Sequence, residues 1–378
     1  MKEAMTSKQR LLSVLNGKEP DRIPWSPLIE GFFMSGLDTQ ANLIDVLNEI
    51  GADYMLRKVP VYMSSIFSSY EVSENTRSKV PLLNENKHIN ITEKINKNRI
   101  YKKYETPVGT LTEKWETTPS SPSIPFPTEY LIKDLEDLKI YTYLLEKEVV
   151  KPYYEIFNEK VKLVGENGLA TTVVPHTPIQ HLLIIHMGIE NFYYKLFENR
   201  EIMEDVMDLM HARNKKICQF IVDSPAEVAI EYENTGITYI SPDIYSKYEK
   251  PAIDDYGKIL HQGEIIFLVH MCGQIKKLAN MIKDGEQDGI CDIAPPPTGD
   301  WDLLEAYNSL YPEQIVIGGL DSIRLYNNKK DELEEYVKEI LKKVKSKKGL
   351  ILGNGDAILK GTPLENLQTV TEIVEKFG

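Results

Sequence analysis

Short apolar runs recur along the chain, and each is followed by a polar or Gly/Pro-rich loop and then by a helical segment. Runs that are apolar at nearly every position are typical of parallel strands that helices cover on both faces. Eight such runs stand at residues 23–28, 52–57, 170–175, 228–233, 265–270, 289–294, 314–319 and 349–353. The clearest helical segments are residues 189–222, 242–262, 274–283, 330–345 and 362–377. Eight strand–helix units predict an α/β fold, a (β/α)8 barrel of the TIM type.

A first helix is predicted ahead of these units. Thr6 and Gln9 have capping-box spacing, in which two side chains satisfy backbone N–H groups at a helix start. An apolar stripe follows at positions 11, 12, 14 and 15, and Gly17 is a helix stop.

Residues 58–160 interrupt the strand–helix rhythm with a long polar, turn-rich stretch. Within it, "NRIYKKYETPVGTLTEKWETT" alternates in polarity and predicts a β-hairpin that turns at residues 107–109. We interpret this stretch as a β-rich insertion near the barrel mouth, within a single barrel domain of residues 1–378. A peripheral subdomain without a role at the mouth is the alternative.

Composition narrows the functional classes. Hydrophobic residues make up 42% of the 378 residues, enough for a sizeable core, and the formal net charge is −13. So acidic a chain does not suit nucleic acid or an anionic membrane as a partner. Three cysteines are too few for a disulfide framework, and as free thiols they suit a reducing compartment. Because the sequence has neither a signal peptide nor a membrane-length apolar run, we expect a soluble cytoplasmic protein.

Ionisable side chains gather where the predicted strands end, which is where barrels of this type place their chemistry. They are Glu231, Glu233, His270, Cys272, Asp292, Asp300, Asp321 and Asp356. His270 and Cys272 are two apart, so on a strand they point to the same side. Imidazole nitrogen and thiolate sulfur are ligands that zinc prefers. A nucleophilic cysteine with its base, or two structural residues, are the other interpretations of this pair.

Three further residues are candidates for contact with a substrate. Trp25 and Phe32, near the end of the first strand, can form an apolar wall for an aromatic ligand, although core packing is the more common role of such residues. His176 follows the third predicted strand and can therefore reach the mouth. His181 and His186 are interpreted as packing residues, because their spacing does not suit two ligands on one helix face.

Several motifs, in order, resemble the uroporphyrinogen decarboxylase superfamily: "TSKQRLLSVLNGKEPDRIPW", "SPDIYSKYEKP", "HMCGQIKKL", "IGGLD" and "GTPLENL". The resemblance covers nearly the whole chain and implies the same barrel. The decarboxylases proper carry an arginine-rich loop after the first strand, which binds substrate carboxylates. Here that loop reads "SPLIEGFFMSGLD", without arginine. A porphyrinogen with several carboxylates would find little counter-charge there.

The "HMCG" motif resembles instead the corrinoid-dependent methyltransferases of this superfamily. In the methylcobamide:coenzyme M branch a His-x-Cys pair and a second cysteine hold zinc. The pair matches His270 and Cys272, while Asp356 stands where the second cysteine would align. The methyltransferase I components of O-demethylases use two glutamates and a histidine. Glu249 and His270 have the matching separation, but the upstream position is Asn234, with Glu233 beside it.

These resemblances imply a zinc-dependent methyltransferase that moves a methyl group from a methylated oxygen substrate, a phenyl methyl ether, to the cob(I)alamin of a corrinoid protein. The expected zinc ligands are Glu233, His270 and Cys272, with Glu249 and Asp356 in reserve. Asp321 or Glu30 is the expected acid for the leaving oxygen, and Trp25, Phe32 and His176 the substrate contacts. A second copy of the chain is a candidate partner as a homodimer. The alternatives are methyl transfer from methylcobamide to a thiol, a metal-free decarboxylase, and a non-catalytic scaffold.

Overall fold

The chain forms a parallel barrel with an antiparallel sheet inserted into it. The computed structural model describes residues 4–37, 42–67, 88–119, 121–344 and 346–378. The strands are β1 (Tyr54–Val59), β2 (Tyr62–Ser64), β3 (Asn90–Asn96), β4 (Arg99–Thr106), β5 (Gly109–Thr118), β6 (Ser121–Glu129), β7 (Val150–Pro152), β8 (Gly168–Val174), β9 (Val228–Glu231), β10 (Ile266–His270), β11 (Gly289–Ile293), β12 (Ile315–Asp321) and β13 (Leu350–Gly355).

The helices mostly alternate with the barrel strands. They are α1 (Ser7–Leu15), α2 (Gly31–Met34), α3 (Leu43–Ile50), α4 (Leu135–Lys147), α5 (Glu155–Val164), α6 (Pro178–His181), α7 (Ile189–Glu198), α8 (Arg200–Val222), α9 (Pro242–Ile244), α10 (Lys250–Leu260), α11 (Ala279–Lys283), α12 (Leu303–Leu310), α13 (Ser322–Asn327), α14 (Lys330–Lys343) and α15 (Leu364–Phe377). Two π-helical segments, Leu182–His186 and Tyr245–Glu249, extend α6 and join α9 to α10.

Seven strands pair in parallel in the order β1-β8-β9-β10-β11-β12-β13, and an extended segment closes the barrel between its two edges. In that segment Ser26 N donates to the carbonyl of Leu352 at 2.8 Å, and Leu352 N donates to the carbonyl of Pro24 at 2.9 Å. On the other side, Asp53 N donates to the carbonyl of Trp25 at 2.8 Å. The segment therefore takes the place of the eighth barrel strand, and the predicted TIM-type barrel is confirmed.

Side chains alternate between the barrel lumen and the helical layer along each strand. Val228 and Ile230 of β9 pack in one cluster with Leu268 of β10. Their neighbours Ala229 and Phe267 belong to a different cluster, which includes the surrounding helices. Both sets are buried, which explains why these strands are apolar at nearly every position, as the sequence pattern indicated.

The predicted first helix lies against the lumen. Thr6 is its N-cap, with a complete capping box: Gln9 N donates to Thr6 Oγ1 at 3.2 Å and Thr6 N donates to Gln9 Oε1 at 3.0 Å. The apolar stripe at positions 11, 14 and 15 packs in the lumen cluster with residues near the strand starts. Helix α1 therefore covers the N-terminal end of the barrel, opposite the mouth.

A buried ion network anchors this end. The carboxylate of Asp53 accepts hydrogen bonds from Arg10 and Arg22, each with one contact at 2.5 Å, and from the backbone N–H of Trp25 at 3.1 Å. Arg10 also donates to Asp21 at 2.6 Å. Since paired buried charges are stable only when their hydrogen bonds are satisfied, this network fixes α1 relative to β1 and the closing segment.

The inserted segment contains an antiparallel sheet, β3-β4-β5-β6. The predicted hairpin is its central pair, in which Thr106 pairs with Gly109 across the turn. One face of the sheet buries Tyr104, Leu111 and Trp115. The ring of Tyr104 lies against Phe67, which follows β2, with the ring centroids 6.0 Å apart. Strand β6 contacts α2, which follows the closing segment at the mouth. The inserted sheet therefore stands near the barrel mouth, as predicted.

Among the described helices, none combines the length and apolar character that a membrane crossing requires.

Candidate active site at the barrel mouth

Polar side chains form the uppermost layer of the barrel lumen. Along a strand, every second side chain points to the same side, and Met55 of β1 and Ile230 of β9 point into the lumen. The next inward side chain is therefore Arg57 after Met55 and Tyr232 after Ile230. His270, the last residue of β10, follows Leu268 in the same way. Apolar layers thus fill the lower lumen, and hydrogen-bonding groups face the mouth.

Asp292 is the centre of this layer. Its carboxylate accepts a hydrogen bond from His270 Nδ1 at 2.6 Å and two from Arg57, of which the Nη2 contact is 3.0 Å. Burial favours the protonated acid, but Arg57 and His270 outweigh it and hold the pKa of Asp292 well below its usual range. Because the carboxylate is ionised, His270 Nδ1 carries the hydrogen, and Nε2 is left to bind something else.

His270 is buried and strongly polarised. Burial opposes its protonation, but neighbouring Cys272 and Asp292 outweigh burial and raise the pKa of the imidazole well above its usual value. A cation at this position is therefore favoured by the surrounding groups, whether the cation is a proton or a metal ion.

Two groups of possible metal ligands occur among the described residues, and His270 belongs to both. In the first, which we call the donor group, ligand atoms of His270, Cys272 and Asp356 lie within 4.8 Å of one another. The second combines His270 with Cys291 and Asp292. In the second group the Asp292 oxygens already accept from Arg57, whose charge would repel a metal ion. The donor group is therefore the better metal site.

The donor group has the chemistry of a zinc site. It offers nitrogen, sulfur and carboxylate oxygen, and Asp292 holds the histidine by its other ring nitrogen, as is usual for zinc-bound histidines. Gly273 follows Cys272 and lies so close to the β9 loop that a Cβ there would be 2.6 Å from the carbonyl oxygen of Thr235. The glycine thus allows the loop that carries Cys272 to pass against the end of β9.

Backbone strain is concentrated at the mouth. Among the described residues, six other than glycine have positive φ, and four of them stand at or just beyond barrel strand ends: Lys58 (59°), Asn234 (52°), Asp292 (66°) and Asp356 (61°). Left-handed backbone is unfavourable for residues with a Cβ and tends to persist where it serves a site. The strained positions therefore coincide with the rim that carries the donor group.

Glu30 lies at the mouth, beside the lumen layer, but as one half of an ion pair. Lys58 Nζ is 2.6 Å from its carboxylate. Burial favours the acid form, but Lys58, with His270 and Arg57 further away, lowers the pKa of Glu30 below its usual value. Its ionised state makes Glu30 a poor proton donor.

Glu233 and Glu249 lie in a separate acidic cluster with Glu231. Thr177 donates to Glu233 from its backbone N–H at 2.6 Å and from its hydroxyl at 2.7 Å, and Thr235 donates to Glu249. Burial raises the pKa of both carboxyls, well above the usual value for Glu249, which the nearby Glu233 charge raises further. The structure therefore assembles His270, Cys272 and Asp356, and places these two glutamates in another group.

The two groups are neighbours. Cys272 Sγ is 3.8 Å from the side-chain oxygen of Asn234, which directly follows Glu233. His176 belongs to the acidic cluster, because its Nδ1 lies 3.9 Å from a Glu233 oxygen and the residue is 7% exposed.

Three remaining candidates lie elsewhere in the fold. Asp321 is the N-cap of α13, where it accepts from Ile323 N at 2.9 Å. Trp25 is fully buried in the core. Phe32 is half-buried on α2 at the mouth. Of these, Phe32 is the side chain with surface available to a ligand.

Sequence reasoning missed Arg57, Lys58 and Tyr232 as site residues. The sequence contained a signal for Arg57 and Tyr232, because each lies two residues beyond an apolar residue that points into the lumen, and side chains two apart on a strand point to the same side. For Lys58 the sequence offers no comparable signal, since its place follows from a left-handed backbone turn.

A family model described as uroporphyrinogen decarboxylase (URO-D) matches residues 118–377. Among solved structures, the chain is similar to a methyltransferase from Methanosarcina mazei, with a TM-score of 0.58, 13% identity and 99% of both chains covered. A B12-independent methionine synthase from Shewanella sp. W3-18-1 aligns over 94% of this chain and 97% of its own, with a TM-score of 0.49 and 11% identity. That score is too low to support a shared detail. The curated proteins contain no match.

Proposed function

The chain belongs to the uroporphyrinogen decarboxylase family, and from that membership we propose that it is a zinc-dependent methyltransferase. The observation that carries the proposal is the donor group, together with the hydrogen bond from His270 Nδ1 to Asp292. The similarity in fold to a methyltransferase from Methanosarcina mazei supports the same general activity.

Charge at the mouth argues against a substrate with many carboxylates. The two cations described at the end of β1 are both engaged: Arg57 pairs with Asp292, and Lys58 pairs with Glu30. The loop after the closing segment, "SPLIEGFFMSGLD", has no arginine. A metal-free decarboxylase acting on a smaller acid is the alternative, and the donor group is the feature that speaks against it.

The composition of the donor group favours oxygen chemistry. Two thiolates with a histidine would form a soft site suited to a thiol substrate, whereas Asp356 replaces one sulfur by oxygen and makes the set harder. A zinc ion held by His270, Cys272 and Asp356 would act as a Lewis acid toward the oxygen of a methyl ether. We therefore propose a phenyl methyl ether as the methyl donor.

The protein's own residues supply orientation. Asp292 fixes the imidazole plane of His270, and Arg57 fixes Asp292, so the donor group is preorganised before substrate arrives. Phe32 offers apolar surface at the mouth for an aromatic ring. The inserted sheet stands on the same side, where β6 contacts α2.

The methyl acceptor in this proposal is cob(I)alamin on a separate corrinoid protein that docks at the mouth. Cob(I)alamin would supply the electron pair for the new bond to the methyl carbon, and the electrons of the methyl–oxygen bond would stay with the leaving oxygen. The barrel's contribution is to hold the ether in line with cobalt. Cytoplasmic localisation and a homodimer are further expectations.

A second direction of transfer deserves a test, because Cys272 retains one sulfur in the donor group. In it, methylcobamide would give its methyl group to a thiol. Incubating the zinc-loaded protein with cob(I)alamin and methoxybenzenes, and separately with methylcobalamin and 2-mercaptoethanesulfonate, separates the two directions. We expect methylcobalamin to form in the first assay. Transfer in the second assay alone would contradict the ether proposal, and CO2 release from an aromatic acid without metal would support the decarboxylase.

A further inference from the structure

The hydroxyl of Tyr232 is a buried polar group at the heart of the mouth. Tyr232 is 6% exposed, and its Oη has no hydrogen-bond partner among the described residues. Its ring centroid lies 5.5 Å from that of His270. Lys58 Nζ stands 4.5 Å from the centre of the same ring. The hydroxyl therefore lies in the upper lumen layer, beside the proposed donor group.

Several other buried tyrosines of the described chain have partners for their hydroxyls. Tyr104 donates to Glu113 at 2.8 Å, Tyr307 donates to the carbonyl of Lys348 at 2.8 Å, and Tyr256 accepts from Asn214 at 3.0 Å. Buried hydroxyls normally have a hydrogen-bond partner in this way, so an unpaired one indicates a position where a bound ligand supplies the acceptor. Tyr232 is such an exception at the place where the reaction is proposed to occur.

A second buried hydrogen-bond donor, the Nε–H of Arg57, also lacks a partner in the described structure. Arg57 uses its two terminal nitrogens on Asp292. Tyr232 and Arg57 are near enough for the guanidinium charge to act on the phenol. The Arg57 Nε–H and the Tyr232 Oη–H are thus two buried donors of the upper lumen layer without partners, and an oxygen that gains negative charge is an acceptor that matches them.

We propose that Tyr232 is the oxyanion donor of this site: its hydroxyl donates a hydrogen bond to the ether oxygen while the methyl–oxygen bond breaks. This inference rests on the proposed methyl transfer. As the methyl carbon binds cobalt, the electron pair of the broken bond remains on the leaving oxygen, and Tyr232 keeps its proton throughout. Lys58 contributes positive charge at the ring of Tyr232, and Glu30 holds Lys58 in place.

This role fixes the class of substrate. Leaving oxygens with localised charge, as in phenols without electron-withdrawing groups, need such a donor. A nitrophenolate spreads its charge into the ring and needs it less. The dependence of rate on the leaving group therefore reports on the hydroxyl of Tyr232.

The test compares wild type, Tyr232→Phe and the matched control Tyr307→Phe, which loses a buried hydroxyl on α12, outside the mouth. Each protein is loaded with zinc and assayed with free cob(I)alamin and para-substituted methoxybenzenes. We expect Tyr232→Phe to lower kcat roughly 10²–10³-fold for methoxybenzene, the effect of losing one oxyanion donor, and far less for its 4-nitro derivative. The control should match wild type. An equal loss across the series, or none, would overturn the proposal.

A binding measurement keeps the inference separate from the proposed function. Binding of 4-nitrophenolate, followed by its visible absorbance, requires no methyl transfer. Because the charge of 4-nitrophenolate is delocalised, losing this hydrogen bond should raise its Kd only about threefold or more in Tyr232→Phe, and not in Tyr307→Phe. Equal affinity in all three proteins, or no binding to wild type, would contradict the oxyanion site. If Tyr232→Phe weakens binding while wild type transfers no methyl group, the oxyanion site stands and the methyltransferase proposal fails.

Discussion

His270 donates a hydrogen bond from Nδ1 to the buried carboxylate of Asp292 at 2.6 Å, and this contact decides which ring nitrogen is available to a ligand. In the proposed zinc site Nε2 would bind the metal ion, with Cys272 and Asp356 as the other members of the donor group. A histidine at the top of a barrel strand thereby becomes an oriented ligand, because a carboxylate on the next strand fixes its tautomer.

Removal of the Asp292 charge should weaken metal binding without removing a ligand of the donor group. In Asp292→Asn we expect zinc affinity to fall about 10–100-fold, the usual effect of losing the partner of a ligating histidine. The variant also leaves the Arg57 charge buried without compensation, so the free energy of unfolding should fall by about 3–5 kcal/mol. Competition with a chromophoric chelator measures the first effect, and urea unfolding measures the second.

The double variant Arg57→Met/Asp292→Asn separates the two effects. It removes the uncompensated charge, so much of the stability should return, while zinc affinity stays low. Recovery of both properties together would show that Asp292 acts only through stability.

The two cysteines near His270 distinguish the two possible metal groups. Cys272→Ala should bind less than one-tenth of the zinc that wild type holds at limiting free metal, because it removes a thiolate ligand. Cys291→Ala should retain zinc, since Cys291 belongs to the group in which Arg57 opposes a cation. Metal analysis after gel filtration gives both values. The reverse pattern would assign the metal to Cys291.

Asp356 should show opposite effects on stability and on metal binding. Its φ is 61°, a conformation that glycine adopts without strain. We expect Asp356→Gly to raise the free energy of unfolding of the metal-free protein by about 1 kcal/mol, while zinc binding is weakened. The control Lys97→Gly, at a positive φ in the turn between β3 and β4, should stabilise the protein and leave zinc binding unchanged. Unaltered zinc binding in Asp356→Gly would remove Asp356 from the donor group.

The Arg10–Asp21 contact predicts an acid-dependent contribution to stability. Burial favours the acid form of Asp21, but its hydrogen bonds with Arg10 and the backbone lower its pKa from 3.8 to about 2. The folded protein thus holds this carboxyl ionised more firmly than the unfolded chain does. The contribution is complete above the unfolded value and is lost as pH falls through the folded one. Asp21→Asn should cost about 1 kcal/mol at pH 7, and the difference from wild type should shrink between pH 4 and pH 2.

The barrel was predictable from the repeated apolar runs, and His270 and Cys272 of the donor group were predictable from their two-residue spacing at a strand end. The run ending at His270 is apolar, and Cys272 follows two positions later, so both were expected at one strand end. Asp356 aligned with a missing cysteine. The expectation for His270 and Cys272 depends on local order along one strand, which a sequence shows directly, whereas that for Asp356 came from the family resemblance.

Contacts between strands were harder to predict. The Glu233 side chain accepts from Thr177 after β8, and Glu249 accepts from Thr235, so both belong to the acidic cluster. Which carboxylate faces the lumen depends on where β9 ends, at Glu231, and on the left-handed turn at Asn234. The pairing of Asp292 with His270 likewise follows from the registration of β11 beside β10 and from the positive φ of Asp292.

The most direct test of the account is the zinc content and methyl transfer of wild type and His270→Gln, with His261→Gln as control. His261 is half-exposed and contacts Asp288, outside the upper lumen layer. We predict that wild type and the control bind one zinc ion and form methylcobalamin from cob(I)alamin and a methoxybenzene. His270→Gln should lose most of the zinc and at least about 10²-fold in rate, while it remains folded by circular dichroism. Equal zinc content and equal rate in His270→Gln and wild type would contradict the account.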